Sequence, residues 1–288
     1  MTAHYGRDMG TVRRLARNGH AVAEHQWAKR LVNGVGVTRN QREAATWLLR
    51  AAAQGYAAAQ CDLGVWFLHG IGVRRDAAQA VTWTRRGAEA GNATAQCNLG
   101  ILYRDGEGVE RDDGEAAAWF RRSGDQGSAH GQTELGRCYE LGRGVPLDLA
   151  VAARLYRRAA DQGHATAQFN LGLCFQLGMG VTLDLAAAAR MFTLASVQGF
   201  PPAHVSLGFC YIHSEGVSAD AAKALKLFRS AADSGLAGAQ FNVGCCFANG
   251  QGVANDETAA IAWFRKAAEQ GQPEALAELL RRGLKVCA

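Results

Sequence analysis

The sequence predicts an all-α protein, a right-handed superhelical solenoid built from two-helix repeats. Three observations lead to this prediction. From Ala21 to Gln272 the chain repeats itself with a period of 36 residues and no insertions. Within each period, small and apolar residues recur at helical spacing, and a glycine stands near the end of each predicted helix. Two-helix units of this length cannot bury their apolar faces alone, so they stack on one another.

The repeat is defined by a few positions that hardly vary among the seven units, which we number from 1 to 36. Position 16 is glycine and position 17 is valine in all seven, from Gly36 and Val37 to Gly252 and Val253. Position 20 is aspartate, or asparagine once at Asn40, position 24 is alanine and position 35 is glycine. The predicted repeats are residues 21–56, 57–92, 93–128, 129–164, 165–200, 201–236 and 237–272.

Each unit is predicted to contain two helices. In the first helix, positions 3, 7, 8 and 11 lie on one face, and in the second helix positions 24, 27, 28 and 31 do so. The acidic residue at position 20 is the expected N-cap of the second helix, and the glycine at position 35 ends it. Small residues at positions 8 and 24 should let the helices approach closely. The tryptophans at position 27 are expected to fill the wedge between them: Trp47, Trp83, Trp119 and Trp263.

Partial repeats are predicted at both ends of the array. Residues 1–20 form an N-terminal partial repeat, in which Tyr5 to His20 resemble a second helix without its first. Residues 273–288 contain a C-terminal capping helix, from Pro273 to Gly283, with a charged outer face. Terminal repeats of a stacked array need such polar caps.

The stretch AQCNLGILYRDGEGVERD, Ala95 to Asp112, contains a glycine pair that could be mistaken for a phosphate-binding loop. A dinucleotide-binding loop needs a preceding strand and the spacing G-x-G-x-x-G. Gly106 and Gly108 instead follow a predicted helix, and no third glycine stands at that spacing. The glycines are therefore interpreted as a turn between two helices.

The pattern A-x-A-Q-x-x-L-G-x-x-Y-x-x-G-x-G-V-x-x-D-x-x-x-A-x-x-W-x-x-x-A-A-x-x-G resembles the Sel-one-like repeat, an α-solenoid relative of the tetratricopeptide repeats. The resemblance covers residues 21 to 272. It implies a non-catalytic adaptor or scaffold that binds a protein or peptide, because members of this family mostly assemble complexes. Departures from the pattern are Ala28 at position 8, Ser214 at position 14, and Leu155, Met191 and Leu227 at position 27.

Composition restricts the compartment and the kind of partner. The 31 basic and 26 acidic residues give a net charge of +5, and the arginines are scattered, which argues against a nucleic-acid binder. The N-terminal residues MTAHYGRDMGTVRR lack the apolar stretch of a secretory signal, and no apolar run is long enough for membrane insertion. Eight cysteines are too few for a disulfide scaffold of this length. A cytoplasmic location is therefore expected.

The first helices supply the candidate binding surface. Positions 2, 5, 6, 9, 12 and 13 point away from the buried face, and the resemblance implies that they line the concave groove; we call them the A-face. Amide and acidic side chains recur at position 6 and could bind a partner's backbone: Asp62, Asn98, Asn170 and Asn242. An apolar stripe occupies positions 5 and 9 of the last three repeats: Phe169, Leu173, Val205, Phe209, Phe241 and Cys245.

Each of these surfaces has a second interpretation. Curvature of the array or a capping segment could bury the apolar stripe, although contiguous exposed apolar patches usually mark interaction sites. The second helices carry basic pairs such as Arg85/Arg86 and Arg121/Arg122, with acids four residues after the first of each pair, as at Glu89. These are interpreted as a solvated face with weak ion pairs, since the acids cancel the field that a nucleic-acid track would need.

No catalytic, cofactor or metal site is predicted. Cys138, Cys174, Cys210 and Cys246 share position 10 and are interpreted as buried thiols, since no C-x-x-C spacing accompanies them. A cysteine-rich branch of the resembled family is associated with penicillin binding and β-lactamase activity, but its paired cysteines are missing here. The alternatives are therefore an enzyme of that branch, or a structural module of a larger assembly. The sequence gives neither the partner nor the oligomeric state, and the chain could be a fragment.

Overall fold

The computed structural model describes residues 9–284, which contain sixteen α-helices and no strand. The predicted fold class, an all-α solenoid of 36-residue two-helix repeats, is confirmed. The chain divides into two compact units, and the boundary between them follows Asp148, inside the fourth repeat. The first unit holds α1 (Met9–Arg17), α2 (Ala21–Asn33), α3 (Gln41–Ala53), α4 (Ala57–His69), α5 (Ala77–Glu89), α6 (Ala93–Asp105), α7 (Asp113–Asp125) and α8 (Ala129–Leu141). The second unit holds α9 (Leu149–Asp161), α10 (Ala165–Leu177), α11 (Leu185–Val197), α12 (Pro201–His213), α13 (Ala221–Asp233), α14 (Ala237–Asn249), α15 (Glu257–Glu269) and α16 (Pro273–Arg281).

The repeat positions map onto the helices in the same way throughout each unit. The first helix of a repeat spans positions 1–13 and the second spans positions 21–33. In each unit a helix packs on the helix before it and the helix after it. Of the two predicted terminal helices, α16 ends at Arg281, and α1 begins at Met9; Tyr5 to Asp8 lie outside the described residues. The capping role of both helices stays a prediction.

The predicted caps are present at the second helices. The Asp76 carboxylate accepts a hydrogen bond from the Gln79 amide at 3.0 Å, and Asp256 accepts one from the Ala259 amide at 2.9 Å. These bonds satisfy amides that the first turn of a helix leaves without an intrahelical partner. The first helices end differently, on a left-handed residue at position 14, which is glycine except at Ser214 with φ 59°.

The predicted wedge residue is wrong by one position. The ring that fills the space between the two helices of a repeat stands at position 28, where Phe120, Phe192, Phe228 and Phe264 are almost fully buried. A Cβ placed on Gly100 would lie 2.6 Å from the ring of Phe120, and one on Gly172 would lie 2.5 Å from Phe192. The ring therefore packs directly against the glycine at position 8, where a larger residue would not fit. The tryptophans at position 27 lie beside it, and Trp47, Trp83 and Trp263 are only partly buried.

A buried glutamine at position 4 joins successive repeats. Gln96 Nε2 donates to the carbonyl of Ala88 in the preceding repeat at 3.1 Å, and Gln126 Nε2 donates to Gln96 Oε1 at 2.7 Å. The same pair of bonds occurs around Gln168 and around Gln240. Because a buried amide is costly unless it is hydrogen-bonded, this arrangement fixes each repeat on the one before it.

Candidate binding face

The A-face of the first unit mixes polar and apolar residues, and many of its charged and amide groups bind one another. His25 Nε2 lies 2.7 Å from Asp62 Oδ2, and Asn98 Nδ2 donates to the Cys61 sulfur at 3.5 Å. One repeat further on, Arg104 forms an ion pair with Glu134 at 2.7 Å and a second with Asp105. Position-6 residues of the first unit therefore contact the A-face of the preceding repeat. Asp62 and Asn98 are half-buried, so only part of each side chain remains accessible.

The A-face of the second unit is apolar, and its side chains are partly buried. Phe169, Leu173, Val205, Phe241 and Cys245 are half-buried, whereas Phe209 is 38% exposed. The two interpretations of the stripe thus each describe part of it, since one side of these residues packs inward and the other reaches solvent.

The inward side of the stripe rests on the position-28 rings. The ring centroids of Phe169 and Phe192 are 5.8 Å apart, those of Phe209 and Phe228 are 5.2 Å apart, and those of Phe241 and Phe264 are 5.6 Å apart. Aromatic pairs at such distances stabilise their relative orientation beyond simple burial. The three A-face rings are therefore held in place by the buried rings that they contact.

Two position-6 amides lie beside this stripe. Asn170 and Asn242 are half-buried, and their side chains form no hydrogen bond within residues 9–284. At the same position in the first unit, Asn98 is hydrogen-bonded to the Cys61 sulfur and Asp62 is hydrogen-bonded to His25. The second unit therefore combines fixed apolar rings with amide groups that retain their hydrogen-bonding capacity.

The basic pairs of the second helices were expected to form ion pairs with acids on the same helix, but they contact aromatic side chains instead. Within the described part of the chain, Arg85 does not pair with Glu89, and it donates instead to the Tyr103 hydroxyl at 2.7 Å. Where a tryptophan stands at position 27, the basic residue three positions later lies over its ring. The distances to the ring centroid are 4.7 Å for Arg50–Trp47, 4.6 Å for Arg86–Trp83, 4.2 Å for Arg122–Trp119 and 4.4 Å for Lys266–Trp263. The rings at position 27 thus attract these cations, which the sequence pattern did not indicate.

The position-10 cysteines are buried, as predicted: Cys138, Cys174, Cys210 and Cys246. Burial raises the pKa of the Cys138, Cys210 and Cys246 thiols to about 11. Burial likewise raises the pKa of Cys61 and Cys97 at position 5 to about 12. A thiol with a raised pKa stays protonated at neutral pH and is a poor nucleophile. No group of histidine, cysteine or carboxylate side chains in residues 9–284 has a geometry that could hold a metal ion.

The glycine pair at Gly106 and Gly108 lies in the turn between α6 and α7, as interpreted. Both have left-handed backbone, with φ of 69° and 75°. A Cβ on Gly108 would lie 2.2 Å from the carbonyl oxygen of Ala77, at the start of α5 in the preceding repeat. Contact with a carbonyl oxygen is unfavourable for an anion, so the turn serves packing between repeats.

Sequence reasoning missed one feature of the first unit, a cleft beside Thr84 at the A-face. Gly64, Val65, His69, Asn98 and Ile101 are among the residues that line it. The available signal was the residue at position 28, which is large and apolar in the other six repeats and a threonine here. Among the described helices, none is long and apolar enough to cross a bilayer.

A family model for the Sel1 repeat matches residues 21–56, 57–92, 93–128, 129–164, 165–200, 201–236 and 237–272. The chain belongs to the Sel1 repeat family. Its fold is similar to that of a protective antigen of uropathogenic Escherichia coli with an SLR fold, at a TM-score of 0.80 and 34% identity. That match covers 94% of this chain, which spans only 59% of the E. coli protein.

Two further structures resemble this Sel1 repeat chain. A Sel1 repeat protein from Oxalobacter formigenes has a TM-score of 0.75 and 32% identity, covering 96% of this chain and 82% of the other. An immunity protein from Pseudomonas aeruginosa has a TM-score of 0.53 and 19% identity, covering 74% and 80%, and at that identity it is similar in fold alone. No curated protein matches the chain significantly.

Proposed function

We propose that the chain is a non-catalytic adaptor or scaffold that binds a protein or peptide on its A-face. The observation that carries the proposal is the stripe of the second unit, where Phe169, Phe209 and Phe241 rest on buried rings and remain partly accessible to solvent. Rings held in place before binding lose little conformational entropy when a partner covers them. Aromatic anchors of this kind commonly dominate the binding energy of an interface.

The amides of Asn170 and Asn242 give the site its directional contacts. Both lie at position 6, next to the apolar stripe, and both have donors and an acceptor without a partner in residues 9–284. An extended peptide presents backbone N–H and C=O groups at regular intervals, which amide side chains can bind. The stripe would thus provide affinity, and the amides would set the register of the partner. Position 6 of the first unit, at Asp62 and Asn98, would give the A-face of that unit contacts of a more polar character.

The experiment compares three baits in affinity capture from lysate followed by mass spectrometry. The first is the native chain and the second is Phe209→Glu, which places a charge on the most exposed ring of the stripe. The matched control is Val197→Glu, because Val197 is 84% exposed on α11 and lies outside the A-face. All three are first checked for equal helicity by circular dichroism.

We expect a partner that is recovered by the native chain and by Val197→Glu and is lost with Phe209→Glu. Reconstitution of the recovered partner with purified chain should reproduce the difference as a change in Kd of at least tenfold. Equal binding by all three baits would contradict the proposed site. Turnover of a chromogenic β-lactam by the purified chain would contradict the non-catalytic assignment and favour the enzyme alternative.

A further inference from the structure

The second helices of the second unit expose a surface that is separate from the A-face. Positions 22, 26, 29, 30 and 33 of a second helix lie within about 100° of one another around its axis. On α9, α11 and α13 the residues at all these positions are exposed. We call these positions of the three helices the B-face. On α11 they hold Ala186, Arg190, Thr193, Leu194 and Val197.

The B-face is basic, with six basic residues and two acidic ones. Position 26 carries a cation on each of the three helices: Arg154, Arg190 and Lys226. No acid stands three or four residues from any of them along its helix, so the local pairing that weakens other basic positions is missing here. Their side chains form no hydrogen bond, ion pair or ring contact within residues 9–284. In the first unit, by contrast, most cations at B-face positions lie on aromatic side chains, as Arg122 lies over Trp119.

Two large apolar side chains lie among these cations. Val197 is 84% exposed and Leu194 is 47% exposed, and both are on α11, the middle helix of the three. The other repeats have polar or charged residues at position 30: Arg50, Arg86, Arg122, Arg158, Ser230 and Lys266. At position 33 most of them have an acid, as at Asp161 and Asp233 on the two flanking helices. The apolar pair therefore replaces groups that the repeat pattern places in water.

An apolar pair surrounded by unpaired cations matches the surface of a bilayer that contains anionic lipids. The negative potential of such a surface attracts Lys and Arg side chains that lie near it. Apolar side chains are buried at the boundary between headgroups and acyl chains, and long basic side chains keep their charge among the headgroups. A lipid surface requires no fixed geometry from these cations, which agrees with their lack of partners in the folded chain.

Nucleic acid matches this surface less well. Binding to single strands uses aromatic side chains on which bases stack, and the B-face carries none. Beside it, at position 27, the tryptophans of the first unit are replaced by Leu155, Met191 and Leu227. Phosphate contacts need cations alone, so they would leave the apolar side chains of Leu194 and Val197 in water.

We propose that the B-face of the second unit binds the surface of a membrane that contains anionic lipids. Leu194 and Val197 enter the headgroup region, and Arg154, Arg190 and Lys226 lie among the headgroups. The contact is peripheral, and it agrees with the finding that none of the described helices can cross a bilayer. The proposal goes beyond the A-face function and does not depend on it, because the A-face lies on the first helices.

The test is co-sedimentation of the purified full chain with vesicles of phosphatidylcholine and phosphatidylserine in a two-to-one ratio. We expect binding that weakens as salt is added, and little binding to vesicles of phosphatidylcholine alone. Arg190→Glu should weaken binding roughly fivefold or more. The matched control is Arg143→Glu, which makes the same change of charge at an exposed arginine outside the B-face and should have little effect.

A second pair of variants tests the apolar contact. Val197→Glu should weaken vesicle binding at least as much as Arg190→Glu, whereas Leu183→Glu should not, because Leu183 is exposed but lies in the turn before α11. Each variant is first checked for native helicity by circular dichroism. Equal binding to both kinds of vesicle, or no loss with Arg190→Glu and Val197→Glu, would overturn the proposal. Binding to a DNA duplex without binding to vesicles would also overturn it.

The same variants separate this proposal from the proposed function. Phe209→Glu should lose the protein partner and keep vesicle binding, since Phe209 lies on the A-face. Val197→Glu should keep the protein partner and lose vesicle binding. Failure of partner capture therefore leaves the membrane proposal standing, and failure of vesicle binding leaves the A-face proposal standing.

Discussion

The glycine at position 16 serves two functions at one residue. At Gly108 the backbone has φ of 75°, in the left-handed region where a side chain is strained. The same residue lies against the carbonyl oxygen of Ala77, so a Cβ has no space. Conformation and contact therefore both require glycine here. The glycine at position 35, for example Gly91 with φ of 85°, has the conformation without the contact.

Replacing these two glycines should separate the two requirements. Gly91→Ala adds only left-handed strain, which costs about 1–2 kcal/mol. Gly108→Ala adds the same strain and a clash with backbone, so it should lower the free energy of unfolding by roughly 3 kcal/mol or more. Urea denaturation of the two variants measures the difference. Equal losses would show that the contact with Ala77 relaxes without cost.

Gln60 offers a stabilising substitution. Within residues 9–284 its Oε1 is buried without a hydrogen-bond partner, because position 34 of its repeat is Ala90 rather than the glutamine found at Gln126. Ala90→Gln should complete the pair seen between Gln126 and Gln96 and raise the free energy of unfolding by about 1 kcal/mol. Ala90→Leu is the control, since it adds a side chain of similar length without a donor. A gain of equal size in both would rule out the hydrogen bond as the cause.

At the scale of the helix, a side-chain cap at position 20 begins the second helix, and at Asp112 this cap is acidic. Asp112 accepts hydrogen bonds from the Gly114 amide at 2.8 Å and the Glu115 amide at 2.9 Å, whereas the neighbouring Asp113 carboxylate binds Arg111 at the surface. Asp112→Ala should lower the free energy of unfolding by about 1 kcal/mol, and Asp113→Ala by a few tenths. Chemical denaturation of both variants tests this. A larger loss for Asp113→Ala would contradict the assignment of the cap.

The bounds of the second helices could be predicted to within a residue or two, but the partner of each side chain could not. The residues at positions 20 and 35 placed the start and the end of each second helix. Trp119 and Phe120, however, are adjacent and lie only about 100° apart around the helix axis, so the apolar pattern includes both. Which of the two meets Gly100 depends on how the helices are rotated against each other. That rotation comes from packing of the whole repeat, which the pattern of a single helix does not contain.

At the scale of the whole molecule, stability should differ along the array. In each unit a helix packs mainly on its sequence neighbours, so α1 and α16 each have a packing partner on one side only within the described residues. Local opening is easiest where few apolar contacts must be broken. Hydrogen exchange followed by mass spectrometry should therefore show α1 and α16 exchanging first, and α6 and α12 much later. Uniform exchange along the chain would indicate a single cooperative unit instead.

The buried thiols make the free energy of unfolding depend on pH in the alkaline range. Burial raises the pKa of Cys97 to about 12 in the folded chain, above the ordinary value of 9.0. Between those values the unfolded chain loses the proton and the folded chain keeps it, so stability falls as pH rises, by up to about 1.4 kcal/mol per unit.

The matching variant is Cys97→Ala, whose alanine does not titrate. Its deficit in free energy of unfolding relative to the native chain should therefore be larger at pH 8 than at pH 10.5. Urea denaturation at the two pH values gives this difference directly. A deficit that does not change with pH would mean that the Cys97 thiol ionises in the folded chain almost as easily as in the unfolded one.

The candidate site could be located from the sequence but not described from it. Helical spacing assigned Phe169, Phe209 and Phe241 to the A-face, because that spacing depends only on the geometry of one helix. Their partial burial depends on rings from a second helix, such as Phe228 beneath Phe209, and no single-helix pattern contains that contact. The cleft at Thr84 was missed for a related reason. Its lining comes from α4 and α6 as well as from Thr84, and no single-helix pattern shows that these side chains lie together.

The contact between each position-16 glycine and the preceding repeat has a consequence for how such a gene can change. In the first unit this contact joins Gly72 to the Gln41 carbonyl and Gly108 to the Ala77 carbonyl, and in the second it joins Gly216 to Leu185. In each pair the two residues are the same number of positions apart. An in-frame insertion or deletion between them would therefore move the glycine turn away from the carbonyl that it contacts. Natural variants of the array should therefore gain or lose coding sequence one whole repeat at a time, and directed shuffling of intact repeats should yield folded chains where shorter excisions do not.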